Sequence, residues 1–220
     1  MHGEHTRIML RPLASSTPLA FYAFGTGTIL YTASQLQWIP QSQDKPLGVF
    51  LLAFAAPLQI LAGLIAYAAR DAGLATIMTI FGAAWACLGI TSLVSPPGSR
   101  TVLLGIFLLT IATMVAAIGT VSVKTRPLLF GLAILVVARY ALTGVYEIDG
   151  ADGLQHAAGW LGLPIVALSL YGGTAFLLEE TMHRTVLPLG RRHGALDAVQ
   201  AGFDDQIERL ASEAGVRHQL

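Results

Sequence analysis

Long apolar runs separated by short polar breaks fill most of this chain. A helix needs about 20 apolar residues, at a rise of about 1.5 Å each, to cross the hydrocarbon core of a bilayer. The pattern predicts an all-α integral membrane protein with six transmembrane helices, and the short breaks require neighbouring helices to run antiparallel. The runs are Thr17–Trp38, Pro46–Ala69, Gly73–Val94, Thr101–Val123, Pro127–Tyr146 and His156–Leu178.

The composition agrees with a membrane protein. Hydrophobic residues make up 54% of the 220 residues, charged residues only 12%, and the mean hydropathy is +0.64. A soluble domain carries roughly 25% charged residues. The formal net charge is zero, so we expect membrane lipid and not nucleic acid as a partner. Cys87 is the single cysteine, which excludes a disulfide within the chain and a thiolate metal site.

The basic residues predict the orientation. Only Lys45 and Arg100 fall in breaks on one side of the membrane, which predicts that this side is external and that both termini lie in the cytoplasm. The protein is therefore expected in the cytoplasmic membrane of the cell, crossing it several times. The ten basic residues on the opposite side are Arg7, Arg11, Arg70, Lys124, Arg126, Arg184, Arg191, Arg192, Arg209 and Arg217.

The chain divides into three parts by composition. Residues 1–16 form a polar cytoplasmic segment, residues 17–190 the transmembrane domain, and residues 191–220 a cytoplasmic tail. In the tail, Leu196, Val199, Phe203, Ile207 and Leu210 recur at spacings of three and four. This spacing predicts a short amphipathic helix.

Enzyme signatures are missing from the sequence. It contains no GxxxxGK[ST], HExxH, CxxC or GxSxG motif. No two histidines have metal-ligand spacing within a helix, so we expect no metal, no cofactor and no catalytic residues. A conduit for a small solute needs less: a narrow path, some polar lining and a constriction.

Arg139 lies near the middle of the fifth apolar run. A charge at that depth costs at least ~3 kcal/mol on insertion scales, so the side chain should face protein, a polar cavity or a counter-ion. It could attract an anion in a pathway, because a guanidinium can bind a carboxylate bidentately. Alternatively, it could pair with an acid on a neighbouring helix or bond to freed backbone carbonyls. Glu147, about 12 Å further along the helix, is too far for direct pairing.

Four stretches together resemble the acetate uptake transporter family, the succinate–acetate permeases. The resemblance covers roughly residues 15–190 and implies six helices per subunit, a homo-hexamer, and a pathway for acetate and related small monocarboxylates in each subunit. The stretches are Thr17–Phe21 with Phe24–Thr28, Gln59–Leu64 with Tyr67, Phe81–Trp85, and His156–Leu163 with Arg184–Gly190.

The resemblance also implies site residues. The pathway of the family narrows at side chains of the first, third and fifth helices, and the matching positions are Phe24, Phe81 and Leu135 or Val136, of which we favour Val136. The family pattern Asn-Pro-Ala-Pro-Leu-Gly at the cytoplasmic entrance reads here as Ser-Ser-Thr, Pro18, Leu19 and Ala. The changed pattern leaves the identity of the solute open.

Three polar residues are candidates for binding the solute, together with Pro18 and Leu19 at the entrance. Gln59 is a deep polar group of the second helix, Thr28 lies in the first, and Arg139 replaces what is ordinarily an aliphatic residue in the family. The resemblance therefore predicts a permease or channel for small monocarboxylates. Two alternatives are a conduit for another small solute, such as ammonia or water, and a non-transporting interaction protein that docks through Leu196–Leu210.

Overall fold

A computed structural model describes residues 13–120, 123 and 127–191 of the chain. The tail helix predicted over Leu196–Leu210 lies outside these residues. Within them the chain is helical and contains no strand. The α-helices are α1 (Thr17–Gln35), α2 (Asp44–Phe50), α3 (Ala56–Ala68), α4 (Ala72–Val94), α5 (Val102–Gly119), α6 (Pro127–Asp149) and α7 (Asp152–Met182).

The second apolar run forms one continuous rod, Gln41–Ala68. It begins with a 3₁₀ turn at Gln41–Gln43, continues as α2, and passes through a π-helical segment, Leu51–Ala55, into α3. The polar stretch 41–46, predicted as a break, belongs to this rod. Its Asp and Pro are residues that favour a first helical turn.

Helix boundaries follow local sequence signals. Pro18 lies in the first turn of α1, where its missing N–H leaves no hydrogen bond unmade. The predicted break 147–153 is much shorter, because α6 continues to Asp149 and the chain reverses at Gly150 with φ +84°. His183 ends α7 in the left-handed conformation.

The helices form a ring that follows the order of the chain. The rod Gln41–Ala68 packs on α4, α4 on α5, α5 on α6, and α6 on α7, and α1 closes the ring by packing on both α7 and α3. A cluster of buried apolar side chains draws on all of these helices, and among the largest fully buried side chains are Leu51, Leu108 and Ile165. The centre of the bundle is therefore the place where side chains from most helices meet.

Large apolar side chains remain on the outside of the ring, as expected for a surface that contacts lipid. Examples are Leu64, Leu103 and Ile106, each more than half exposed. In the described part of the chain, five helical segments are long and apolar enough to cross a membrane: the rod, α4, α5, α6 and α7. The sixth long helix, α1, carries a stripe of Thr, Ser and Gln. The prediction of an all-helical chain with several membrane-length helices is confirmed for these residues.

Candidate solute pathway

A cavity lies at the centre of the ring, and five helices line it. The cavity is narrow, since the centre of a water-sized sphere can occupy only about 20 Å³ of it. We call it the central cavity. Its lining residues are Phe24, Thr28 and Tyr31 of α1, Trp85 and Leu88 of α4, Leu108 of α5, Val136, Arg139, Tyr140 and Thr143 of α6, and Ile165 of α7.

Aromatic rings close one side of the central cavity. The ring centroids of Phe24 and Phe81 are 4.8 Å apart with the planes nearly parallel, and the Tyr140 ring is parallel to that of Phe81 with 6.1 Å between their centroids. The Trp85 ring is tilted by 54° relative to that of Phe24, with 6.1 Å between the ring centroids. We call Phe24, Phe81 and Tyr140 the aromatic stack. Its rings come from α1, α4 and α6, so it spans the middle of the bundle.

Arg139 is buried, with 6% of its surface exposed. Its Nε and Nη2 donate to the side-chain oxygen of Gln35 at 3.2 and 2.7 Å, and Nη2 also donates to Thr32 Oγ1 at 2.9 Å. A longer bond of 3.4 Å reaches the Thr28 carbonyl, and the guanidinium lies 5.8 Å from the centre of the Tyr31 ring. All these partners are neutral residues of α1.

Thr143 completes the hydrogen bonding around the arginine. Gln35 Nε2 donates to Thr143 Oγ1 at 2.9 Å, and the same hydroxyl donates to the Arg139 carbonyl at 2.9 Å. We call Thr32, Gln35, Arg139 and Thr143 the polar cluster. Its members orient one another, so the guanidinium is held in place beside the central cavity.

Gly162 allows α7 to approach the polar cluster. A Cβ atom at this position would lie 2.0 Å from Thr32 Oγ1 and 3.2 Å from Arg139 Cζ. No side chain larger than hydrogen fits there without displacing the hydrogen bonds of the cluster. This glycine therefore has a packing role beside the arginine.

Glu147 does not neutralise Arg139. Its carboxylate accepts a hydrogen bond of 2.9 Å from the backbone N–H of Thr101, at the start of α5. Among the described residues Arg139 makes no ion pair. The sequence left open whether Arg139 faces a pathway, an acid on a neighbouring helix or freed backbone carbonyls. In the structure it lines the central cavity and bonds to neutral side chains and to one backbone carbonyl.

The structure brings most of the predicted site residues together. Phe24, Thr28, Val136 and Arg139 line the central cavity, and Phe81 joins them through the aromatic stack.

The other three predicted residues lie apart from the central cavity. Gln59 is fully buried and reaches the Ala20 carbonyl at 3.5 Å. Ala20 precedes Phe24 by four residues, or about 6 Å along α1. Pro18 and Leu19 belong to the same end of α1 and are buried and half-buried, respectively. These three residues therefore lie on the opposite side of the aromatic stack from Arg139.

Five residues that shape the site were not predicted from the sequence: Thr32, Gln35, Trp85, Tyr140 and Thr143. A signal for two of them was present. With Thr28, Thr32 and Gln35 form a polar stripe at spacings of four and three on one face of an otherwise apolar helix. Tyr140 and Trp85 give no such signal, because an aromatic residue in an apolar helix is usually part of the core.

The proteins that resemble this chain in sequence and fold are named as a symporter and a channel. The chain is 30% identical to the succinate-acetate/proton symporter SatP of Escherichia coli K12 over 188 residues, which cover 82% of this chain and 97% of the relative. The protein of the same name from Shigella flexneri matches equally. The solved structure of the bacterial acetate channel SatP superimposes with a TM-score of 0.73 at 26% identity, covering 81% of this chain and 99% of the channel.

The family assignment covers most of the chain and includes every residue of the central cavity. Residues 1–190 match the GPR1/FUN34/yaaH family, and this match agrees with the resemblance in the sequence. The chain is a multi-pass membrane protein that belongs to the GPR1/FUN34/yaaH family.

Proposed function

We propose that the protein is a transmembrane permease or channel for acetate and related small monocarboxylates, with a pathway inside each subunit. The observation that carries this proposal is the central cavity, which lies on the axis of the bundle between an aromatic stack and a buried guanidinium. The relatives named above are a succinate-acetate symporter and an acetate channel. Their names agree with a cavity that attracts a small anion.

The aromatic stack is the constriction of this pathway. Phe24 and Phe81 are in van der Waals contact across the bundle, and Val136 lines the cavity beside them. Gln59 lies on the far side of the stack, near Pro18 and Leu19 at the cytoplasmic entrance. A solute would pass from one polar region to the other by displacing the rings.

The chain crosses the cytoplasmic membrane six times, with both termini inside. The ten-to-two distribution of basic residues supports this orientation. Trp38 and Trp160, which are 58% and 63% exposed, lie towards the proposed outer end of the bundle. Exposed tryptophans are enriched at membrane interfaces. The resemblance to the permeases supports a homo-hexamer.

Uptake of labelled acetate into proteoliposomes tests the proposal. The full-length protein should carry acetate above protein-free liposomes, at acidic or neutral pH. Phe81→Ala removes the central ring of the stack and should admit larger carboxylates, such as butyrate, more readily. Phe54→Ala is the matched control, since this ring is 43% exposed on the outside of the bundle. Absence of uptake at both pH values would contradict the proposal.

The same liposomes distinguish the alternatives. If ammonia or water is the solute, swelling after a stopped-flow jump will be fast for that solute and slow for acetate. A non-transporting protein would be expected to seal its pathway, with Arg139 bridged to a fixed acid. Within the described residues the partners of Arg139 are neutral, so this sealed arrangement is not found there.

A further inference from the structure

Three residues that line the central cavity each carry a buried polar atom with no hydrogen-bond partner in the described part of the protein. The atoms are Thr28 Oγ1, Trp85 Nε1 and the Tyr140 hydroxyl. Their side chains are 0%, 3% and 7% exposed, so bulk water does not solvate them. Buried polar groups in proteins are almost always paired, and those that are not usually mark a bound water or ligand.

These unpaired groups share one chemical character. The tryptophan N–H is a donor only, and the tyrosine and threonine hydroxyls can both donate. Arg139 adds a fourth donor, because its Nη1 makes no hydrogen bond to any described residue, whereas Nε and Nη2 are paired. The four donors therefore belong to residues of three helices that line the same cavity.

The cavity also contains a positive charge without a negative one. Arg139 is the one charged side chain among the lining residues, and the nearest acid along α6, Glu147, is occupied by Thr101. A buried charge is stabilised by an opposite charge or by several hydrogen bonds. An anion in the cavity would supply both the missing charge and the missing acceptors.

We infer that the central cavity binds one short-chain monocarboxylate in its anionic form. Arg139 Nη1, the Tyr140 hydroxyl, Trp85 Nε1 and Thr28 Oγ1 donate to the carboxylate. The alkyl group lies against the aliphatic side chains of the lining: Leu88, Leu108, Val136 and Ile165. This inference rests on the proposed function and adds a defined binding site to it.

The same site discriminates against dicarboxylates. One guanidinium neutralises one carboxylate, and no second charged side chain lines the cavity. The second carboxylate of succinate would be buried there without a positive charge to balance it, which is unfavourable. The permease resemblance implies an aliphatic residue at position 139, so this selectivity is a property of the present chain and need not hold for its succinate-transporting relatives.

Isothermal titration of the purified full-length protein in detergent tests the site. Acetate should bind with 1:1 stoichiometry, and succinate at least tenfold more weakly. Tyr140→Phe and Thr28→Val each remove one unpaired hydroxyl and should weaken acetate binding about tenfold, since hydrogen bonds to charged groups are the stronger ones. Arg139→Leu should weaken it about 100-fold. Tyr22→Phe is the control, because its hydroxyl is paired with Thr174 outside the cavity.

The melting temperature of the ligand-free protein separates binding from structure. Removing an unpaired buried hydroxyl does not destabilise a fold, so Tyr140→Phe should melt at the wild-type temperature or higher while binding acetate less well. A structural role for the hydroxyl would instead lower the melting temperature and leave affinity unchanged. That result would overturn the inference.

The outcomes also separate this inference from the proposed function. Wild-type protein that transports acetate, with an affinity that none of the three cavity substitutions changes, would overturn the binding site and leave the permease intact. Equal affinity for acetate and succinate would overturn the selectivity. A wild-type protein that neither binds nor transports acetate would overturn both.

Discussion

Replacing Gln35 with leucine removes the acceptor that holds the Arg139 guanidinium. Two hydrogen bonds from the charged group, of 2.7 and 3.2 Å, end on its side-chain oxygen. In soluble proteins such bonds contribute about 1.5–3 kcal/mol each, which sets an upper bound of about 3–6 kcal/mol. Between membrane helices measured values average about 0.6 and reach about 1.7 kcal/mol. Because Thr32 remains as a partner, we expect Gln35→Leu to lower the free energy of unfolding by about 1–3 kcal/mol.

A double-mutant cycle identifies the cause of this loss. Gln35→Leu alone leaves a buried cation short of partners, whereas Gln35→Leu combined with Arg139→Leu removes the cation as well. The double variant should therefore be more stable than the sum of the single effects predicts, with a coupling energy of about 1–2 kcal/mol. Denaturant unfolding in mixed micelles, followed by circular dichroism, measures all four proteins.

A distant pair provides the control for the cycle. Tyr22→Phe lies outside the polar cluster, so its effect should add to that of Gln35→Leu within about 0.5 kcal/mol. If the effects of Gln35→Leu and Arg139→Leu on the free energy of unfolding also add within about 0.5 kcal/mol, the hydrogen bonds between Gln35 and Arg139 do not stabilise the fold and the reasoning is refuted.

Two further substitutions test the packing and the charge around the site. Gly162→Ala should displace the polar cluster and lower both the melting temperature and acetate uptake. Gly131→Ala is the control and should leave both unchanged, because its new methyl group would meet nothing within 4 Å. Equal effects of the two substitutions would contradict the close approach of α7 to the polar cluster. Glu147→Gln removes a negative charge from the start of α5 and should destabilise the protein by about 0.3–1 kcal/mol. Asp149→Asn, at the exposed end of α6, should be neutral or slightly stabilising. Thermal unfolding should therefore find Glu147→Gln less stable than Asp149→Asn, and the opposite order would exclude the electrostatic explanation.

The positions of the helices could be predicted from the sequence because each membrane-length helix appears as an apolar run of about 20 residues. The run Gly73–Val94 became α4 within one residue of its predicted start. The ends at polar loops were less predictable. The run to Trp38 stops being α-helical at Gln35, and the run to Val123 at Gly119, because local turn geometry and not hydropathy decides where a helix ends.

The site was only partly predictable, for a different reason. The charge at position 139 is visible in the sequence because it is costly in a membrane. Its partners are not, because Gln35 and Arg139 are 104 residues apart and only the closure of the ring by α1 brings them together. The Tyr140 hydroxyl is unpaired because no hydrogen-bond partner lies near it in the folded structure, and the pattern of residues along the chain does not reveal this.

The five hydrogen bonds that join α1 to α6 in and beside the polar cluster also bear on how the pathway opens. A mechanism in which groups of helices rock against each other would have to stretch all five bonds at once if α1 and α6 separated. Rotation of the Phe24 and Phe81 rings about their side-chain bonds leaves every one of them intact. In the proposed pathway the bundle would therefore act as a rigid frame, and rotation of aromatic side chains, not movement of helices, would control the passage of the solute.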